Sequence, residues 1–400
     1  MKNGWEIKKL GDLTDFITKG TTPTSLGHSF VPSGVNFVKV ESIEDSGEFI
    51  AHKLAHITNE CHEILKRSQL NFGDILFSIA GALGRTAFVT EDILPANTNQ
   101  ALSIIRLKKS TELLPAFILL SLSSGFVLEQ VEKFKGGVAQ QNLSLAQVRA
   151  FNIPIPSRQE QQRIVAILDE AFEGIATAKA NAEKNLKNAR QLFESHLNSV
   201  FSQRGEGWVE KRLGQVCQTG AGGTPLKSKK AYYEGGTIPW LLSGEVSQGQ
   251  IHKAKHFISQ QGLENSSAKI FPKNTVLVAM YGATAGQVGI LKFEASTNQA
   301  VCGILPNDRF VPEYLFYFFL SQKDSLVAQA AGNAQPNISQ LKIKNTAVPI
   351  LSLSEQQEIV ERFDFLRNQT QRLESIYQKK IEALDALKKS ILQKAFDGEL

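Results

Sequence analysis

Ser157-Arg-Gln-Glu-Gln-Gln-Arg-Ile-Val-Ala166 opens a stretch that runs to Gln203 and decides the architecture, because the chain writes it twice. Ile153-Pro154-Ile155 leads into Ser157, Glu160, Gln161, Gln162 and Ile164. Val348-Pro349-Ile350 leads into Ser352, Glu355, Gln356, Gln357 and Ile359, each 195 residues after its counterpart. Both copies begin Ser-x-x-Glu, the capping box in which the two side chains satisfy each other's unpaired backbone N–H groups at a helix start. A proline just upstream favours an extended approach. Apolar residues then recur at steps of four and three: Ile164, Leu168, Ala171, Ile175, Ala178, Ala182, Ala189, Phe193 and Val200. The second copy runs Ile359, Phe363, Leu366, Thr370, Leu373 and Tyr377, then, after a hitch near Lys380, Leu384, Leu387, Ile391 and Ala395. A seam of about six heptads predicts a coiled coil, and two matched seams of equal length are each other's natural partner.

Working outward, residues 1–155 form one globule. Trp5-Glu-Ile-Lys-Lys-Leu-Gly leads to a turn at Gly20-Thr-Thr-Pro23. Val35–Val40, Asp74–Ile79 and Ala101–Leu107 read as strands, and Pro115 begins a helix. Residues 204–350 repeat this order. Trp208 matches Trp5, Gly223-Thr224-Pro225 matches Thr21-Thr22-Pro23, and Thr275–Gly286 matches the stretch from Asp74. Thr297-Asn-Gln-Ala300 matches Thr98-Asn-Gln-Ala101, and Gly332–Asn337 matches Gly137–Asn142. Residues 156–203 and 351–400 are the two helices. The fold class is therefore α+β: two similar mixed α/β globules alternating with two long helices. A helix of this length spans about 70 Å. If the second packs antiparallel to the first it returns to the first globule, giving a coiled-coil rod with a pseudo-two-fold internal repeat.

This doubled order resembles the specificity subunit of a Type I restriction-modification system. The resemblance covers essentially the whole chain. It rests on Pro154-x-Pro-x-x-x-Glu-Gln-Gln-x-Ile, Pro349-x-x-x-x-x-Glu-Gln-Gln-x-Ile, the paired Trp-x-x-Lys-[Lys/Arg]-Leu-Gly starts and the two Thr-Asn-Gln-Ala strings. It implies that the globules are target-recognition domains, each reading half of a split double-stranded DNA target. It also implies that the rod fixes the gap between the halves and docks two methyltransferase subunits, joined by translocase-nuclease subunits in the restriction complex. S-adenosylmethionine, ATP and Mg are then expected on those partners, with no cofactor on this chain. Because the globules differ in most residues, the two half-sites should differ as well.

Composition agrees with that expectation and narrows the classes. A hydrophobic share of 42% is ample for real cores. A formal charge of +5 permits nucleic-acid binding without establishing it. No apolar run reaches membrane-spanning length. Cys61, Cys217 and Cys302, odd in number and widely spaced, read as reduced thiols, so the expected location is cytoplasmic. Catalytic signatures are missing: no Gly-Lys dipeptide of a phosphate-gripping loop, no Pro-Asp start of a nuclease carboxylate set, and no Asn/Asp-Pro-Pro-Tyr/Phe string. The expectation is a non-catalytic subunit with no metal site. His52-Lys-x-x-His56 recurs as His252-Lys-x-x-His256, but its flanks read as extended, which would put each pair on a sheet face rather than in a zinc-binding helix.

Phosphate contacts supply affinity for DNA and base edges supply specificity. Basic candidates are Lys39, Arg85 and Lys135 in the first globule, and Lys227, Lys229 and Lys230 beside Gly-Gly-Thr-Pro in the second. Asn and Gln suit adenine and Arg suits guanine, which selects Gln140 and Gln141, then Tyr281, Gln287, Asn333 and Gln335. Arg85, taken to project from its glycine turn, differs from Gln287 at the matching place, and that pair is favoured for specificity. Asn99 and Asn298 recur unchanged and read instead as amides tying a turn. Trp240 reads as core. On the rod, Glu160, Gln161, Gln162, Glu355, Gln356 and Gln357 are candidate partner contacts, with capping and solvation as the competing account. The rival readings are a coiled-coil scaffold whose globules bind protein, and an enzyme with an unfamiliar site.

Overall fold

The computed structural model describes residues 4–109, 112–135, 142–203, 208–329 and 337–400. The chain forms two compact units, Met1–Ala182 with Lys379–Leu400, and Glu183–Gln378. Each unit joins one globule to part of each long helix, whereas the sequence-based division at 155, 203 and 350 set globules and helices apart.

In the first unit an antiparallel sheet runs Thr14–Lys19, Leu102–Leu107, Ile75–Ser78, Thr86–Phe88. Side chains alternate across a strand, so Ile75 and Phe77 face one core while Leu76 faces another. The first core is closed by helix Pro115–Ser123 through Phe117, Ile118 and Leu122, and by Ile164, Leu168, Ala395 and Phe396 of the long helices. The second lies toward a small sheet of Val35–Val38, Ala55–Ile57 and Ala96–Thr98. A separate ribbon, Glu6–Lys9 against Asn152–Ile155, ties the chain's start to the strand that enters the first long helix.

The second unit repeats the plan. Val276–Ala279 lies between Val288–Leu291 and Val301–Ile304 in a five-stranded sheet. Val276 and Val278 face an aromatic core with Tyr314, Tyr317, Phe319, Phe201 and Phe363, and Leu277 faces the opposite one. Val209–Arg212 pairs with Ala347–Ile350 as the second ribbon.

The long helices are Arg158–Ser202 and Leu353–Asp397, 45 residues each. They run antiparallel within each unit. In the first, Lys179 Nζ meets Asp385 Oδ1 at 2.7 Å and Lys388 lies over the Phe172 ring. In the second, Arg190 Nε meets Glu374 Oε2 at 3.1 Å, and Phe193 and Phe201 pack on Phe363. The seam differs from its predicted membership. Leu373 and Leu387 are exposed, while Glu374 and Lys388 occupy the inward positions next to them. Thr370, Glu374, Tyr377, Ile381, Leu384, Lys388, Ile391 and Ala395 keep a steady four-three step, so no hitch is needed near Lys380. Leu197 and Phe201, absent from the predicted seam, are buried because the end of the first helix turns into the aromatic core. No helix among the described residues is long and apolar enough to cross a membrane.

Candidate nucleic-acid interface

In each unit two loops and the described segment that carries Leu143 or Ile338 meet at one end of the main sheet, and backbone hydrogen bonds fix them the same way. Ile79, just past its strand, donates its N–H to Ala101 O and accepts that of Leu143, both at 2.8 Å. Met280 does the same with Ala300 and Ile338, at 2.7 and 2.8 Å. The hairpin turn Gly81–Arg85, or Tyr281–Gln287, stands beside this junction. The Thr-Asn-Gln-Ala loop is closed locally, since Asn99 Oδ1 accepts the Ala101 N–H at 3.1 Å and Asn298 Oδ1 that of Ala300 at 3.2 Å.

The Gly-Thr-Thr-Pro turn docks onto the same loop. Thr21 donates its N–H to Thr98 O at 3.1 Å, and Gly223 to Thr297 O at 2.9 Å. Approach is close enough that a Cβ on Gly20 would stand 1.9 Å from Thr98 O, and one on Gly222 2.4 Å from Thr297 O. Only glycine fits there. Thr22 Oγ1 then donates to Gln100 Oε1, and Thr224 Oγ1 to Gln299 Oε1.

Around this shared frame the side chains diverge. Arg85 and Gln287 are structural counterparts, as Ser78 donates to Arg85 O and Ala279 to Gln287 O. Arg85 does not project as predicted: its guanidinium folds back, donating to Val40 O at 3.1 Å, Ile43 O at 2.7 Å and Asp45 Oδ1 at 2.5 Å. Gln287 is half-buried and Tyr281 exposed. Lys227, Lys229 and Lys230 are exposed on the segment after Pro225, where Lys229 also lies over the Tyr232 ring. Lys39 sits over the Phe30 ring, 4.0 Å from Glu41. Gln140, Gln141, Asn333, Gln335 and the side chain of Lys135 fall outside the described residues. Trp240 is core, with its Nε1 donating to Gly223 O at 3.0 Å.

One residue that sequence reasoning missed organises the first unit. Buried Asn97 donates to Leu65 O and Ser68 Oγ, and its Oδ1 lies 2.5 Å from His62 Nδ1. Its counterpart is Ser296, so the duplicated Thr-Asn-Gln-Ala string began one residue too late to flag it. His52 lies in a short helical turn and His56 in a strand, so the pair does not share a sheet face as expected. Among the described residues no three His, Cys, Asp or Glu side chains come together as metal ligands would.

At the helix starts, Gln161 and Gln356 are fully buried and hydrogen-bonded inside their own units. Gln162, Glu355 and Gln357 are exposed, and Glu160 is half-buried beside Arg163. Glu355 Oε2 accepts both the Ser352 N–H and hydroxyl, which holds its carboxyl below the ordinary range.

The family model for the Type I restriction modification DNA specificity domain matches twice, over residues 2–188 and 205–383. The chain is 27% identical over 248 residues to the Type I restriction enzyme EcoR124I/EcoR124II specificity subunit of Escherichia coli, covering 58% of this chain and 60% of that protein. It is 24% identical over 416 residues to the putative type I restriction enzyme MjaX specificity subunit of Methanocaldococcus jannaschii, covering 99% of this chain and 93% of that one. Its fold is similar to a chain from a type I R-M system assembly, with a TM-score of 0.80 at 22% identity over 100% of this chain and 99% of that chain. It is also similar to the HsdS subunit from Thermoanaerobacter tengcongensis, with a TM-score of 0.62 at 21% identity over 100% and 98%.

Proposed function

We propose, for a chain that belongs to the Type I restriction modification DNA specificity family and carries two copies of its domain, that each copy reads one half of an asymmetric, bipartite duplex DNA target. DNA sequence recognition is the role that family membership gives the chain. The observation that carries the bipartite reading is the junction at Ile79 and Met280: one scaffold, built twice from the same backbone bonds, presenting different side chains. Identical frames with different loops suit two readers of different sequences, since specificity resides in side chains facing base edges.

In this reading Lys227, Lys229, Lys230 and Lys39 neutralise phosphates, and Tyr281 and Gln287 face bases. Arg85 acts on the first half-site through the 40–45 loop that it holds. The long helices fix the spacing of the half-sites and dock methyltransferase subunits, with Gln162, Gln357, Glu160 and Glu355 on the side open to partners and translocase-nuclease subunits completing a restriction complex. The chain itself performs no chemistry. Mapping of methylated bases in cells with and without the gene tests this. The expected result is loss of methylation at one split, asymmetric sequence; an unchanged methylome overturns the reading.

A further inference from the structure

The Thr22–Gln100 and Thr224–Gln299 pairs are the same contact made in both domains, beside turns whose side chains differ. Gln100 and Gln299 are exposed and their threonines half-buried. After the clasp the chain continues Thr24-Ser-Leu-Gly-His28 in one domain and Leu226-Lys-Ser-Lys-Lys230 in the other. Two domains that read different sequences should differ where they touch bases. Exposed residues that stay identical therefore touch something common to both half-sites.

The geometry points to a duplicated, sequence-independent contact with the sugar-phosphate backbone, made by the Gln100 and Gln299 amides; this rests on the DNA-recognition reading above. Each threonine hydroxyl donates to the glutamine Oε1, which fixes the amide plane and leaves Nε2 directed away from the clasp. Neither Nε2 has a hydrogen bond to a described residue. Two neutral N–H donors on a rigid loop suit a phosphate oxygen, and such contacts set register on the duplex without carrying sequence information. The glycines that admit no Cβ, Gly20 and Gly222, hold the threonine in place. Gln100 and Gln299 are positioning residues, and the divergent turns beside them are the readers.

The test uses the full chain against a random-sequence duplex pool. Gln100→Glu with Gln299→Glu keeps an acceptor for each threonine hydroxyl but replaces the amide donors by charges that repel phosphate. The expected result is the same enriched sequence, an unchanged Tm, and binding weakened about tenfold or more on every duplex, the size of a lost hydrogen bond to a charged group. Unchanged affinity overturns the proposal and leaves the pair a structural or protein-docking clasp; a changed sequence preference overturns it in favour of base reading. If the glutamate pair does not fold, Gln100→Lys with Gln299→Lys reads the opposite sign, tighter binding on all sequences, and unchanged or weaker binding overturns the idea. Wild-type protein that enriches no sequence would instead sink the recognition reading itself.

Discussion

Gln161 Oε1 accepts the backbone N–H of Leu114 at 2.9 Å, while its Nε2 donates to Glu112 O and Pro156 O at 2.9 and 3.0 Å. Gln356 repeats this with Val311, Arg309 and Leu351, at 2.8, 3.0 and 3.0 Å. One side chain thus ties the first turn of a long helix to the N-terminus of the proline-led helix packed beside it. Leu114 and Val311 are the residues before Pro115 and Pro312, where a helix begins with N–H groups that lack intrahelical partners.

Replacing either glutamine by alanine removes the side-chain partner of one half-buried N–H and of two carbonyls. Each substitution should destabilise its own unit by about 1–3 kcal/mol, from the partners lost at these partly buried groups. Gln162→Ala, exposed one position on, should change stability by less than about 0.5 kcal/mol. Denaturant unfolding of the three variants separates these outcomes, and equal effects for Gln161 and Gln162 would remove the tie.

The seam makes a second prediction and shows what a sequence does and does not reveal. Apolar identity drew the reading to Leu373 and Leu387, but an antiparallel partner imposes phase, and phase places Glu374 and Lys388 inward. Long side chains satisfy both demands by burying their stems and pairing their heads. Leu373→Gln should therefore cost less than about 0.5 kcal/mol. Phe363→Ala, at a fully buried position packed against the rings of Phe193, His196 and Phe201 of the first helix and of Tyr317 in helix Pro312–Ser321, should cost about 3–5 kcal/mol. Comparable losses at both sites would restore the predicted seam.

The doubled order of elements was legible because both halves keep the same turn glycines, prolines and helix caps. The clasp was half legible: Thr-Asn-Gln-Ala stood out by repetition, yet Gln100 and Thr22 lie 78 residues apart and only the sheet order brings them together. Arg85 was misjudged because two of its three acceptors are backbone carbonyls, which leave no trace in side-chain identity. Gln161 was read as a surface group for the same reason. The buried Asn97 hub was invisible because Ser296 takes its place in the other copy, so repetition could not mark it.

Glu355 gives a prediction in pH. Hydrogen bonds from Ser352 stabilise its charged form and lower its pKa from the ordinary value. A folded-state pKa below the unfolded one contributes stability that is present above the unfolded value, about 4.3, and fades as pH falls through the folded value. Ser352→Ala should move the Glu355 titration, followed by NMR, upward toward the ordinary range, because a main donor to the carboxylate is lost. An unmoved titration would show that the cap does not hold the carboxylate.

Arg85 supplies the last prediction, because its two roles leave different marks. If the guanidinium holds the 40–45 loop, Arg85→Ala leaves the Ile43 carbonyl without this donor and removes the tie to Val40 O and to the exposed Asp45 carboxylate. The first unit should then lose about 1–3 kcal/mol, and amide exchange should quicken along residues 40–47. Gln287→Ala at the matching position should cost the second unit less than about 0.5 kcal/mol. The functional readouts should diverge in the same sense. Loosening a loop weakens recognition of one half-site without exchanging one preferred base for another. Removing a bidentate base contact relaxes a single position by about 1–3 kcal/mol and spares the rest. Methylome maps of the two variants should accordingly show a diffuse loss at one half-site for Arg85→Ala and a relaxed single position at the other for Gln287→Ala. A single relaxed position for Arg85→Ala, with the 40–45 loop as protected as before, would return the arginine to the role of a direct reader.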